Sequence, residues 1–110
     1  MPAIVQHSMI DHPHLIGGAK FGIELTTAEI AERFGLLPER SFDDLDYFEF
    51  LCLEYDGVKL AFQHRFKASG SGSMISFDSL GHKNPIQLIA AVCGVGPEEI
   101  HVFEKDRLAI

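Results

Sequence analysis

Tyr47-Phe48-Glu49-Phe50-Leu51-Cys52-Leu53-Glu54-Tyr55-Asp56-Gly57-Val58-Lys59-Leu60-Ala61-Phe62-Gln63-His64-Arg65-Phe66 is the stretch on which the fold turns. Its midpoint, Asp56-Gly57, is a preferred dipeptide for a two-residue type I′ turn, and both flanks are rich in aromatic and aliphatic strand formers. A two-residue loop sets the register of a hairpin. It predicts Tyr55 opposite Val58, Leu53 opposite Leu60, Leu51 opposite Phe62, Glu49 opposite His64 and Tyr47 opposite Phe66. The large apolar side chains then share one face, which must meet the core. The other face pairs Glu54 with Lys59, Cys52 with Ala61, Phe50 with Gln63 and Phe48 with Arg65. That mixture calls for partial cover as well.

Upstream, Leu25-Thr26-Thr27-Ala28-Glu29-Ile30 carries the start of a helix: Thr26 as N-cap, Glu29 closing a capping box, and Leu25 stapled to Ile30. Ile30, Ala31 and Phe34 form its apolar stripe, Gly35 suits the left-handed position after the last turn, and Pro38 stops the chain. Ser41-Phe42-Asp43-Asp44-Leu45-Asp46 reads as an acidic connection, because Asp and Ser favour turns. Downstream, Ala68 to Ser73 is flexible by composition, either a natural loop or an engineered splice. Met74 to Asp78 reads as a strand. Asn84-Pro85 opens a second, largely buried helix that Gly94 ends, and Ile100 to Glu104 reads as a last strand. The amino-terminal residues 1–22 are less regular; Ala3 to Val5 opens a strand there. The expected architecture is a single α+β domain over residues 1–110, with a mainly antiparallel sheet of about four strands and two short helices on one face.

The chain has 110 residues, 46% of them hydrophobic, which excludes a disordered polymer and suits one domain with a real core. No apolar run nears the roughly 20 residues of a membrane span, and no signal-peptide pattern opens the chain, so the expected location is cytoplasmic. Cys52 and Cys93 lie in apolar segments without metal or redox spacing and read as buried, reduced thiols. Sixteen acidic against nine basic side chains give a net charge of −7, which disfavours a nucleic-acid partner. Residues 39–56 alone hold seven acids and one base, a net −6.

Three clusters could carry chemistry. His7, His12 and His14 are near enough in sequence to gather imidazoles around a metal, but their spacing is no ligand signature, and a solvated histidine-bearing loop is the simpler reading. Glu49 opposite His64 places a carboxylate beside an imidazole, a geometry that tunes a general base or else forms a satisfied buried pair. No nucleophile is fixed beside it, and no catalytic motif is present. Asp43, Asp44 and Asp46 interleave with Phe42, Leu45 and Tyr47, combining charge that steers a basic partner with rings that anchor it. A solvated acidic loop is the alternative, but Phe42 and Tyr47 must be buried either in the core or against a partner.

The short helix ending Phe34-Gly35-Leu36-Leu37-Pro38, the Tyr47-Phe48-Glu49-Phe50 strand, the Asp56-Gly57 turn and the returning strand resemble the small bacterial α+β domains that serve as immunity proteins against polymorphic or contact-dependent toxins. The resemblance spans residues 22 to 78. It implies a cytosolic, acidic, non-catalytic protein that occludes a toxin active site, often that of a basic nuclease. The expected function is therefore toxin neutralisation without cofactor or metal, through Phe42, Asp43, Asp44, Asp46 and Tyr47. The alternatives are a self-associating accessory domain, such as a homodimer joined through a sheet face or edge, and a small hydrolase or metal site using Glu49 and His64.

Overall fold

A computed structural model of the chain describes residues 4–8, 21–42, 47–55, 57–66, 72–77 and 84–102. In chain order the elements are β1 (Ile4–His7), β2 (Phe21–Ile23), α1 (Thr27–Arg33), β3 (Glu39–Phe42), β4 (Tyr47–Tyr55), β5 (Val58–Arg65), β6 (Ser73–Phe77), α2 (Pro85–Cys93), a 3-10 turn (Pro97–Glu99) and β7 (His101–Val102). The strands form one antiparallel sheet in the order β1-β4-β5-β6-β2-β7, with β3 also paired to β4. The α+β class is as expected, but the described residues already form a sheet of seven strands rather than about four.

The β4–β5 hairpin has the register its turn dictates: Tyr55 faces Val58, Leu53 faces Leu60, Leu51 faces Phe62 and Glu49 faces His64. The final rung is marked by the Phe66 N–H donating to the Tyr47 carbonyl at 3.2 Å. Gly57 takes the positive φ of 77° that a type I′ turn requires; Asp56 lies outside the described residues. Leu51, Leu53, Leu60, Phe62 and Ile75 line one face, against which Ile30 and Ala31 of α1 and Leu88, Ile89 and Val92 of α2 are buried. Both helices thus cover the same face, as the amphipathic patterns require. The opposite face is closed too, with Phe48, Phe50, Cys52 and Ala61 in a second buried cluster.

Each helix ends as its residues specify. In α1 the Glu29 N–H donates to Thr26 Oγ1 at 3.1 Å and the Thr26 N–H to Glu29 Oε1 at 2.9 Å, completing the capping box. The Thr26 N–H foremost, and the Thr26 hydroxyl after it, hold the Glu29 carboxyl below its usual range. Gly35 takes φ 68°, and the Leu36 and Gly35 N–H groups return to the carbonyls of Ala31 and Glu32, a Schellman closure. Asn84 is the N-cap of α2, though its side chain makes no capping hydrogen bond, and Gly94 closes the other end in the left-handed conformation. Arg33 ties the two helices by donating from Nε to the Val92 carbonyl at 3.0 Å. Cys52 and Cys93 are buried thiols in no disulfide, and desolvation pushes the Cys93 thiol up to about 12, although Arg33 pulls the other way.

Three strands depart from the expected plan. Residues 39–42 continue the β4 edge as β3, where an acidic loop beginning at Ser41 is expected; its half-buried positions are the polar Glu39 and Ser41 and its one ring, Phe42, is exposed, so no apolar alternation marks it as a strand. β2 is three residues long, too short for any periodicity, yet buried between β6 and β7. The last strand holds His101 and Val102, whereas Ile100 belongs to the core and residues beyond 102 lie outside the described set. Gly72 and Ser73 are integral to the sheet. A Cβ on Gly72 would lie 2.3 Å from the Ile23 carbonyl oxygen, so this close approach of β2 demands glycine. The Ser73 hydroxyl donates to the Leu25 carbonyl at 2.7 Å, which leaves Thr27 to donate the 3.0 Å bond between the two hydroxyls. Residues 69–71 of that Ser/Gly stretch lie outside the described set.

Two outcomes follow from this packing. Leu53→Ala and Leu60→Ala should each lose about 2 to 5 kcal/mol in denaturant unfolding, and Lys59→Ala roughly 0.5 kcal/mol; equal losses at Lys59 and Leu60 would mean the faces are exchanged. The lowered Glu29 carboxyl stabilises the fold above its unfolded-state range, and this contribution disappears as pH falls through the folded-state value. Glu29→Gln should therefore lower Tm at neutral pH and not at strongly acidic pH, and a deficit unchanged by acid would contradict the assignment.

Candidate functional site

At one end of the sheet, the helix-bearing face carries a rung of three aromatic rings. β3 supplies Phe42, β4 supplies Tyr47 directly opposite it, and β5 leads into Phe66 on the other side of Tyr47. The Phe42 and Tyr47 ring centroids lie 5.6 Å apart. Phe42 is 71% exposed, Tyr47 65% and Phe66 53%. Phe42 and Tyr47 are therefore strand residues held at the surface, neither loop-borne nor buried in the core. Exposed aromatics joined on one rung form an unusual patch, because single chains usually expose large apolar groups singly. Asp43, Asp44 and Asp46, the acidic members of the expected site, lie outside the described residues; the sequence places them between the two strand ends that carry Phe42 and Tyr47.

The neighbouring rung is polar and mostly buried. Arg40 on β3 faces Glu49 on β4, which faces His64 on β5. Arg40 Nε donates to Glu49 Oε2 at 3.0 Å, with the Arg40 side chain 77% exposed and that of Glu49 4%. His64 Nδ1 bonds the Gly72 carbonyl, so Nδ1 carries the proton, and the imidazole ring meets Phe66 edge-on at 4.8 Å between centroids. Register brings Glu49 and His64 together as expected, but each is engaged with a different partner. Arg40, the residue that neutralises Glu49, was not legible in advance; its signal would have been recognition of β3. The nearest hydroxyl group in the strand order, Ser73, already donates to Leu25, and Cys52 lies on the other face.

Next to Arg40 the surface sinks into a groove of about 590 Å³ between α1 and β3, lined by Ala28, Glu32, Leu36, Leu37, Pro38 and Arg40. Its wall is fixed: Pro38 restricts the backbone, and Gln6 Nε2 donates to the Leu37 carbonyl at 2.8 Å. The Leu37 side chain is nevertheless 82% exposed. His7 sits elsewhere, on β1 at the far half of the β4 edge, with Nε2 3.0 Å from Glu54 Oε1. His12 and His14 lie outside the described residues, and no group of metal-ligating side chains occurs among the described ones. No described helix is long and apolar enough to cross a membrane. Comparison with protein-family models, curated proteins and solved structures returned no match.

The Arg40–Glu49 pair generates a direct test. Arg40→Ala leaves a buried carboxylate unpaired and should cost about 2 kcal/mol, whereas Glu49→Gln in the same chain should recover much of that loss. Additive losses in this double-mutant cycle would show that the two side chains do not act together.

Proposed function

We propose that this chain is a non-catalytic, acidic protein-binding domain whose contact surface is the Phe42, Tyr47 and Phe66 rung, with Asp43, Asp44 and Asp46 steering a basic partner. The observation that carries the reading is the joint exposure of three rings side by side at one end of the sheet. Aromatic side chains of this kind dominate binding energy at interfaces, and they lose little conformational freedom on docking. The net −6 of residues 39–56 supplies the complementary field. The resemblance of residues 22 to 78 to immunity domains favours a specific version: a bacterial, cytoplasmic inhibitor that neutralises a basic toxin such as a nuclease. The engagement of Glu49 by Arg40 and of His64 by Gly72 weighs against a hydrolase reading. A homodimer through the same rung would bring two acidic segments together, an arrangement that charge repulsion opposes.

The experiment is capture of the partner from the source cell at low and high salt, followed by binding kinetics of variants. Because both rings are exposed, Phe42→Ala and Tyr47→Ala should fold normally and each weaken binding by about 2 kcal/mol or more, chiefly through faster dissociation. The triple Asp→Asn change at residues 43, 44 and 46 should slow association and flatten its salt dependence. Kinetics indifferent to all of these changes would overturn the proposal.

A further inference from the structure

The groove beside the aromatic rung has a chemistry of its own. Ala28, Leu36, Leu37 and Pro38 make it apolar, while Glu32 and Arg40 bring one charge of each sign. These charges are not equivalent. Arg40 is already paired with the buried Glu49, so its positive charge is largely offset where it stands. Among the described residues the Glu32 carboxylate has neither an ion pair nor a side-chain hydrogen bond. The groove therefore presents apolar walls and one unopposed negative charge, and in the sequence Asp43, Asp44 and Asp46 come directly after Phe42, the last residue of the strand that forms its wall.

A long basic side chain fits that description. Lysine and arginine bury a methylene stem along apolar surface while keeping the charged head at a polar rim. About 590 Å³ accommodates such a side chain with the backbone on either side, within the roughly 300 to 1,000 Å³ usual for binding pockets. Arg40 and Phe42 occupy alternate positions of β3 and so share one sheet face, which makes groove and rung a continuous surface. The wall is also pre-formed, through the Schellman closure at Gly35, the ring of Pro38 and the Gln6 bond to Leu37. Little ordering is then required on binding.

We infer that the groove between α1 and β3 seats one lysine or arginine side chain of the basic partner, its stem against Leu36, Leu37 and Pro38 and its charge on Glu32. This inference rests on the protein-binding reading and adds to it the side-chain class that the partner places beside the aromatic rung. An anionic or purely apolar occupant would leave Glu32 desolvated and unpaired, which is unfavourable.

The test uses the full chain labelled with nitrogen-15 and two capped tripeptides, Gly-Lys-Gly and Gly-norleucine-Gly, which differ only in the terminal ammonium. The lysine peptide should shift the amide signals of Glu32, Gly35 and Leu37, and the norleucine peptide should bind about fivefold more weakly. Glu32→Gln should reduce the lysine peptide to the norleucine affinity, and Ala28→Phe, at an exposed helical position, should block both. Equal affinities, a silent groove, or shifts confined to residues 42–47 would overturn the inference. A silent groove together with intact sensitivity of partner binding to Phe42→Ala would leave the protein-binding reading standing. Loss of that sensitivity with groove shifts retained would remove the aromatic reading instead.

Discussion

The register of the β4–β5 hairpin is the constraint on which the rest depends. With side chains alternating between faces, a slip of one residue would send Leu51, Leu53, Leu60 and Phe62 to the opposite side of the sheet. The helices would then have no apolar face to cover. The Asp56-Gly57 turn prevents this locally, and the strand neighbours reinforce it, since β6 continues the Leu51–Phe62 rung with Ile75. The same alternation carries the chain from a wholly apolar middle to a polar rung at Arg40, Glu49 and His64, and then to the exposed rings. Core and candidate site are successive rungs of one ladder.

The surface rings lie outside the cluster that the helices cover. Thr27–Arg33 spans only about 10 Å at 1.5 Å per residue and Gly35 closes it, and Phe42, Tyr47 and Phe66 are absent from the buried core against which it packs. The Arg40–Glu49 pair marks the transition. A carboxylate at the margin of an apolar core needs a charged donor, and β3 brings one from an exposed edge. That edge is itself protected by short strands and charged residues, since β1 and β3 share the outer side of β4 and neither exceeds four residues.

Local signals made much of this legible in the sequence. Thr26 with Glu29, Gly35, Gly94 and Asp56-Gly57 each specify a cap or turn from contiguous residues, and the elements they bound are where the signals place them. Elements that exist only through tertiary pairing were not legible. β2 is three residues whose strand character comes from lying between β6 and β7, and β3 is Glu39-Arg40-Ser41-Phe42, three polar residues and one ring, whose character comes from β4. Missing β3 also hid Arg40 as the partner of Glu49, and with it the wall of the groove. Phe42 and Tyr47 were identifiable as candidates by their aromatic type beside Asp43, Asp44 and Asp46. The hairpin register already placed Tyr47 opposite Phe66, but the strand position of Phe42 and the exposure of both rings were not legible, because both depend on the pairing of β3 with β4.

The free chain keeps the rings of Phe42, Tyr47 and Phe66 at the surface of the sheet, whereas Phe21, Phe48, Phe50 and Phe62 are buried. Relaxation of aromatic ring protons by a soluble paramagnetic nitroxide measures this directly. Strong attenuation is expected at Phe42, Tyr47 and Phe66 and little at Phe50 and Phe62, both fully buried. Protection of Phe42 and Tyr47 equal to that of Phe50 in the monomeric chain would contradict it, and would place those rings in the core.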